Sequence, residues 1–282
     1  MLIPTAQLLQ QARQNHYAVG AFNVYTLEGV RAVVSAAQQA HSTAILQLLP
    51  KAIELGGRAL IACCLEAARE AVVPMSVHLD HCSSETTITK ALTADISSIM
   101  ADGSHLTFER NIDFSRRMAA LATSKRKTVE AELGRLSGTE DGITVAERKA
   151  CLTDPDQAAT FVKNTGVHAL AVCIGNVHGR YHSPPQLDFN RLAAIADTVS
   201  IPLVLHGTSG LPDDMITRAV ALGVSKFNVN TELRAAGIAA GGMYMRVTEK
   251  PELVDRMQTE IDAMKRPVMS KIVLFGSADK VS

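Results

Sequence analysis

The sequence predicts an α/β fold, a single (β/α)8 TIM barrel that takes in residues 1–282 as one domain. Three observations predict it. Strand-like and helix-like segments alternate from end to end, which implies a parallel sheet. About eight such repeats fit into this length, close to the ~250 residues typical of a closed barrel. The polar residues that suit a core least gather at the ends of the strand-like runs, where barrel enzymes keep their chemistry. A doubly wound open sheet is the alternative. Against it, Val19-Gly20-Ala21-Phe22-Asn23 stands where such a sheet would carry G-x-G-x-x-G.

Apolar or β-branched runs mark strands at 18–24, 44–49, 73–79, 96–100, 128–133, 169–174, 202–205 and 226–229. Between them lie amphipathic helices. Residues 27–40 carry Leu27, Val30, Val33, Val34 and Ala37 on one stripe. Residues 59–70 are alanine-rich, with Arg58, Glu66, Arg69 and Glu70 for the wet side. Asp154 caps a helix over 156–164, with Pro155 at its first position. Pro212-Asp213-Asp214 opens 215–222, which Gly223 ends. The longest irregular stretch is 134–146, centred on Ser137-Gly138-Thr139-Glu140-Asp141-Gly142, and reads as a lid or a mobile connection.

Composition narrows the function. Lys and Arg balance Asp and Glu at 28 each, Trp is absent and aromatics are 4%, so neither a nucleic-acid surface nor a base-stacking platform is expected. No apolar run approaches the ~20 residues that span a bilayer. The start, Met1-Leu2-Ile3-Pro4-Thr5, lacks the basic and apolar regions of a signal peptide. Five cysteines without C-x-x-C spacing read as reduced thiols in a cytoplasmic protein. Cys82 follows a candidate metal ligand but points the opposite way along a continuing strand, so it is not counted as a ligand.

The histidines carry most of the functional signal. His81, His178 and His206 each close an apolar run: Val77-His78-Leu79-Asp80-His81, Ala171-Val172-Cys173-Ile174-Gly175-Asn176-Val177-His178 and Pro202-Leu203-Val204-Leu205-His206. On parallel strands the three imidazoles converge, which describes a catalytic zinc site with an open fourth position. Asp80, directly before one ligand, supplies a proton-transfer group. Asn23, Asp102, Glu130, Glu132, Asn228 and Asn230 join the list of polar strand ends. Gly207-Thr208-Ser209-Gly210 and Asn228-Val229-Asn230-Thr231 follow the seventh and eighth strands, where phosphate binds in many barrels. The plainer reading of the second segment has Thr231 merely capping the next helix.

In order along the chain, His78-Leu79-Asp80-His81, Asp102-Gly103-Ser104-His105, Glu130-Ala131-Glu132-Leu133-Gly134, His178-Gly179, Leu205-His206-Gly207-Thr208-Ser209-Gly210 and Asn228-Val229-Asn230-Thr231-Glu232 resemble the class II, zinc-dependent ketose-bisphosphate aldolases, which include fructose- and tagatose-bisphosphate enzymes. The likeness runs from about Leu2 to Gly276. It implies Zn2+ on His81, His178 and His206, with Asp80 exchanging the proton of the substrate C4 hydroxyl. It implies that Asp102 and Glu132 match a second or alternative metal position, and that Glu140 moves the proton at C1 of dihydroxyacetone phosphate. It implies that Asn23, Gly179, Gly207, Thr208, Ser209, Asn228, Val229, Asn230 and Thr231 bind substrate. A monovalent cation (Na+ or K+) near Gly179 and Gly207, and a homodimer or homotetramer acting on a small sugar phosphate, complete the implied picture.

Two departures bear on the substrate. The family's small polar Ser-x-Gly-like segment after strand 2 is here Gln47-Leu48-Leu49-Pro50-Lys51, with Leu49 where Ser is usual. The Arg-containing segment before the last long helix is here Lys250-Pro251-Glu252-Leu253-Val254. These leave the triose-phosphate half intact and point to an aldehyde other than glyceraldehyde 3-phosphate, or to a tagatose-type substrate; Lys51 or Arg234 is the alternative source of the missing contacts. A non-catalytic assembly subunit is the competing reading, disfavoured by the joint presence of Asp80, His81, Glu140, His178 and His206. A Schiff-base aldolase is disfavoured because no lysine falls mid-strand, Lys226 standing at the entrance of strand 8.

Overall fold

The computed structural model describes residues 1–140, 143–145, 151–179, 181 and 183–281, with only the backbone described at 137–140 and 143–145. Helix α1 (Thr5–Gln14) precedes β1 (Val19–Asn23), α2 (Leu27–Gln39), β2 (Ala44–Leu48), α3 (Pro50–Glu70), β3 (Met75–Cys82), α4 (Glu85–Thr93), β4 (Ser98–Ala101), α5 (Phe108–Ser124) and β5 (Thr128–Leu133). An excursion carries β6 (Ser137–Glu140) and β7 (Ile143–Val145). There follow α6 (Pro155–Thr165), β8 (Ala169–Val172), β9 (Val177–His178), α7 (Phe189–Thr198), β10 (Leu203–Leu205), α8 (Asp213–Ala221), β11 (Val224–Val229), α9 (Thr231–Val247) and α10 (Leu253–Leu274).

Eight strands close into a barrel in the order β1-β2-β3-β4-β5-β8-β10-β11, every neighbour parallel. This is the α/β barrel the sequence predicts. Alternate residues face in and out. The outward set, including Phe22, Leu46, Val77, Leu79, Ile99 and Phe227, packs against the helices. The inward set divides into an apolar and a polar group. Val19, Ala21, Ile45, Met100, Ala169, Ala171 and Val204 pack with Leu8, Leu9 and Ala12 of α1. That helix is tied to the N-terminal ends of the strands, where Thr5 Oγ1 donates to Ser98 Oγ (2.6 Å) and Ala6 N to Thr128 Oγ1 (2.9 Å). The rest of the inward set is polar and buried: Gln47, His78, Asp80, Glu130, Glu132, Lys226 and Asn228. One mouth is sealed by an apolar plug, so the other is left for chemistry.

Several elements depart from expectation. The run 169–174 does not continue straight to His178. Strand β8 stops at Val172, Gly175 takes φ 106°, and His178 lies on β9, outside the barrel sheet. The stretch 134–146, read as irregular, contributes β6 and β7 to a small sheet of order β7-β6-β9. Its Ser-Gly-Thr-Glu sequence carries no apolar alternation to announce a strand. Helix α3 begins at Pro50, well before 59; Gly57, at φ 57° and ψ −156°, kinks it and interrupts the helical pattern. Lys226 is not at a strand entrance, because β11 starts at Val224. Thr231 is the first residue of α9 and not its cap, which is Asn230. Asp154 does cap α6, its Oδ1 accepting from Gln157 N (2.9 Å). Among the described residues no helix is long and apolar enough to cross a membrane.

The C-terminal segment locks the outer layer. Phe275 is fully buried, stacks on Phe227 with centroids 4.6 Å apart, and accepts from Ala18 N through its carbonyl (2.9 Å). Replacing Phe275 by Ala should cost about 3–5 kcal/mol, read as a lower urea midpoint with an unchanged denaturant slope; an unmoved midpoint would show that the ring is not a structural clamp.

Candidate metal centre and active site

Strand β3 delivers two consecutive side chains to the open mouth. Leu79 pairs with Ile99 and Cys82 with Ala101, so Asp80 and His81 together oppose Met100. This is a β-bulge, and His81 adopts φ 38° to make it. His81 Nδ1 and Asp102 Oδ2 are hydrogen-bonded at 2.8 Å, and Asp102 Oδ1 accepts from Ser104 N (3.0 Å) and Oγ (2.7 Å). His206, directly after β10, is hydrogen-bonded through Nε2 to Glu130 Oε1 (2.9 Å). An ionised carboxylate only accepts, so Asp102 fixes the proton of His81 on Nδ1 and Glu130 fixes that of His206 on Nε2. The remaining nitrogens, His81 Nε2 and His206 Nδ1, face each other at 2.9 Å. His178 completes the cluster, its ring centroid 5.0 Å from that of His81 and 6.2 Å from that of His206. One nitrogen from each of the three imidazoles lies within 4.8 Å of the others, and His81, Asp102 and Glu132 form a second such group. The alternative-metal pair therefore adjoins the imidazole cluster.

Asp80 sits in a cradle of amides. Asn23 Nδ2 and Gln47 Nε2 donate to Oδ2 (3.0 and 2.9 Å), and Asn228 Nδ2 donates to Oδ1 (3.2 Å). Gln47 Nε2 also reaches Asn23 Oδ1 (3.0 Å). The acceptor oxygens of Gln47 and Asn228 are buried and accept no hydrogen bond. Sequence reasoning missed Gln47: one amide in the run Ala-Ile-Leu-Gln-Leu gives no sign of a partner 33 residues on. Below the imidazoles, Lys226 Nζ donates to Glu130 Oε2 (2.7 Å) and His78 Nδ1 meets Ser98 Oγ (2.7 Å), all wholly buried.

The loops after β10 and β11 meet as expected, but their residues divide. Gly207, at φ 65°, lies so close to Val177 that a Cβ would strike the Val177 carbonyl. Tyr181 straps the two: its hydroxyl accepts from Val177 N (3.1 Å) and donates to Gly207 O (2.9 Å). Burial pushes that phenol up to about 12. Thr208 Oγ1 donates to Asn228 O (2.7 Å), tying the loops together. Asn230 Oδ1 accepts from Tyr25 (2.9 Å). The Val229 side chain lies in the outer apolar layer, which leaves only its backbone near the mouth. Ser209 is nearly buried, Thr231 opens α9, and Gly179 follows His178 with φ 86°. Glu140 ends β6, and its side chain lies outside the described residues.

A sequence model of the class-II fructose-bisphosphate aldolase family matches residues 3–280. The chain belongs to that family. The YdjI aldolase of Escherichia coli K12 is 34% identical, with each chain covered in full and a TM-score of 0.88. A putative fructose-1,6-bisphosphate aldolase of Coccidioides immitis is 32% identical over 98% of this chain and 97% of its own, with a TM-score of 0.92. The fructose-bisphosphate aldolase of Campylobacter jejuni shares the fold (TM-score 0.83) at 21% identity over 99% and 97% of the two chains. The protein is thus a class II aldolase, a carbon–carbon lyase.

Class II aldolases are generally zinc-dependent, and the site suits a cation. Burial works against charge on His81, but Asp80, Asp102 and Glu132 outweigh it and hold the imidazole well above its ordinary range. Burial and the neighbouring Asp102 push Glu132 up, and its Oε2, 3.8 Å from Nδ1 of both His81 and His206, accepts no hydrogen bond. The raised range of His81 favours a proton on the imidazole, which a cation bound there would have to displace. Below the raised pKa of His81 a metal ion must displace that proton, so affinity should climb with pH through neutrality and level off once that pKa is passed. Calorimetry in buffers of different ionisation heat should show about one proton released per metal ion bound near pH 7; uptake with no release would contradict this assignment.

Proposed function

We propose that this aldolase cleaves and forms a ketose phosphate, with dihydroxyacetone phosphate as one product, and that Zn2+ held by His81, His178 and His206 serves the reaction. The carrying observation is the Asp80 carboxylate, held by the amides of Asn23, Gln47 and Asn228 beside the three-imidazole cluster. When bound, zinc supplies a Lewis acid for the negative charge that develops on the ketose oxygen. Asp80 takes the proton of the C4 hydroxyl in cleavage and returns it in condensation. Its cradle aims it: amide donors on both oxygens leave the carboxylate little freedom to rotate. The unpartnered oxygens of Gln47 and Asn228 are placed to accept substrate hydroxyls.

The phosphate end is assigned to the backbone of Gly207–Ser209 and to the start of α9, where Asn230 and Thr231 present the positive end of a long helix. Gly207, tied to Val177 through Tyr181, and Gly179, two residues beyond Val177, are assigned to the same corner. Glu140, at the end of β6, is assigned the proton at C1 of the triose phosphate. The excursion that carries it reaches the site through β9, which also carries His178.

The far end of the substrate differs from that of fructose 1,6-bisphosphate. Leu49 is buried at the head of α3, where a hydroxyl would be needed to hold a polar group. A tagatose-type or less polar, deoxy or shorter aldehyde half fits this corner better. The protein is also assigned as a homodimer or homotetramer. Met243, Met245, Val247, Leu253 and Val254, half or more exposed around the junction of α9 and α10, are the surface we expect a second copy to cover.

Retro-aldol cleavage should be assayed across ketose 1-phosphates and 1,6-bisphosphates, with EDTA and then with zinc restored. We expect chelator-sensitive release of dihydroxyacetone phosphate, with turnover of fructose 1,6-bisphosphate below that of another member of the panel. Equal or higher turnover of fructose 1,6-bisphosphate would overturn the substrate reading. Asp80→Asn should retain zinc and lose about 100- to 10,000-fold in kcat; a variant that keeps its kcat would remove Asp80 from proton transfer.

A further inference from the structure

Lys226 is the most unusual residue of the barrel. It is wholly buried in the middle of β11, level with Val19 and Val204 on the neighbouring strands. It lies below the mouth, and nothing in the proton transfers assigned above uses it. A buried ammonium persists only when paired and hydrogen-bonded. Its partner is Glu130 Oε2 at 2.7 Å, and Glu130 is itself wholly buried. A cation on one oxygen and an imidazole N–H on the other both favour the carboxylate form over the acid.

Glu130 is therefore gripped from two sides. Oε2 accepts from Lys226, and Oε1 accepts from His206 Nε2 (2.9 Å). His78, whose Nε2 stands 3.9 Å from Oε2, closes a third side and is itself anchored on Ser98. A carboxylate held this way cannot swing upward to the cation position, and it cannot offer His206 a proton in place of a lone pair. The imidazole is left with one orientation, Nε2–H down into the barrel and Nδ1 up toward His81 Nε2. Outer partners of this kind fix the tautomer and ring plane of metal-binding histidines.

We propose that Lys226 is a positioning residue for the metal, acting through Glu130 to make His206 a ligand by Nδ1 and to keep Glu130 out of the coordination sphere. This rests on the metal reading of His81, His178 and His206 given above. It also accounts for a mid-strand lysine in an aldolase without invoking a Schiff base, since its nitrogen is committed to Glu130.

The test uses the full-length protein loaded with zinc or cobalt. Lys226→Met keeps the stem and removes the charge. It should lower zinc affinity about 10- to 100-fold in chelator competition and alter the visible absorption of the cobalt form, with the circular dichroism spectrum unchanged. Lys226→Arg, which keeps the charge, should recover part of the affinity. Wild-type affinity and an unchanged cobalt spectrum in Lys226→Met would overturn the proposal. Should Lys226→Met fail to fold, nitrogen NMR of histidine-labelled, cadmium-loaded wild-type protein decides: coupling of cadmium to Nδ1 of His206 supports it, and coupling to Nε2 refutes it. A wild-type protein that takes up neither zinc nor cobalt refutes the metal reading itself, an outcome distinct from a metal-binding wild type that Lys226→Met leaves unchanged.

Discussion

Two imidazole nitrogens, His81 Nε2 and His206 Nδ1, face each other at 2.9 Å, each with its other nitrogen committed to a carboxylate. As neutral rings they would set lone pair against lone pair. The arrangement requires a positive charge between them, and the rest of the site is built to require it. Ser104 holds Asp102 in place, and Lys226 holds Glu130. Asp80, Asp102, Glu130 and Glu132 bring four carboxyl groups into a space where Lys226 is the one buried lysine among the described residues facing them. That crowding holds the His81 imidazole and the Glu132 carboxyl above their ordinary ranges. A divalent cation held by His81 and His206 would supply the missing positive charge.

Such a cluster is costly, and the fold separates that cost from its stability. Each buried ion carries a desolvation penalty of several kcal/mol even after relaxation. The strands meet it by dividing their two faces. Outward residues such as Leu46, Val77, Leu79, Ile99 and Phe227 make an unbroken apolar layer under the helices. Inward residues need only fill the barrel, and α1 seals its lower half with Leu8, Leu9 and Ala12. The upper half is then free to hold groups chosen for chemistry. Where the two demands meet, the contacts are structural: Tyr181 ties β9, which carries His178, to the loop after β10, and Thr208 ties that loop to β11.

How much of this is legible in the sequence follows from what each residue answers to. Parallel strands buried on both faces read as continuous apolar runs, so the barrel strands and their order stand out. His81 and His206 stand out for the same reason, as polar residues at the ends of such runs. His178 is equally visible, but its route is not. Gly175-Asn176 lies inside an apolar run, and only the structure shows Asn176 turning the chain by donating to His206 O (3.0 Å). Gln47, Glu130 and Lys226 answer to partners far off in sequence. A lysine after Val-Ser reads as the wet end of a strand until the facing glutamate is known. The small sheet of β6, β7 and β9 is hidden because its strands are only two to four residues long and pair with one another, not with the barrel.

The bulge in β3 shows how one residue of register sorts chemistry from packing. In a regular strand Asp80 and Cys82 would share the inner face and His81 would enter the apolar layer. The mouth would then offer a thiol in place of an imidazole, about 6.6 Å along the strand from the acid. The bulge puts Asp80 and His81 in the mouth as immediate neighbours and returns Cys82 to the outer core, where burial pushes its thiol up to about 11. The left-handed backbone of His81 costs on the order of 1–3 kcal/mol. For that strain the mouth gains a carboxylate adjacent to an imidazole, and a thiol is kept out of it. The strained residue also has both ring nitrogens engaged, by Asp102 on one side and His206 on the other. Removing either partner should relax the bulge, and the affinity of a metal held by His81 would fall with it, which would couple strand register to metal binding through this one residue.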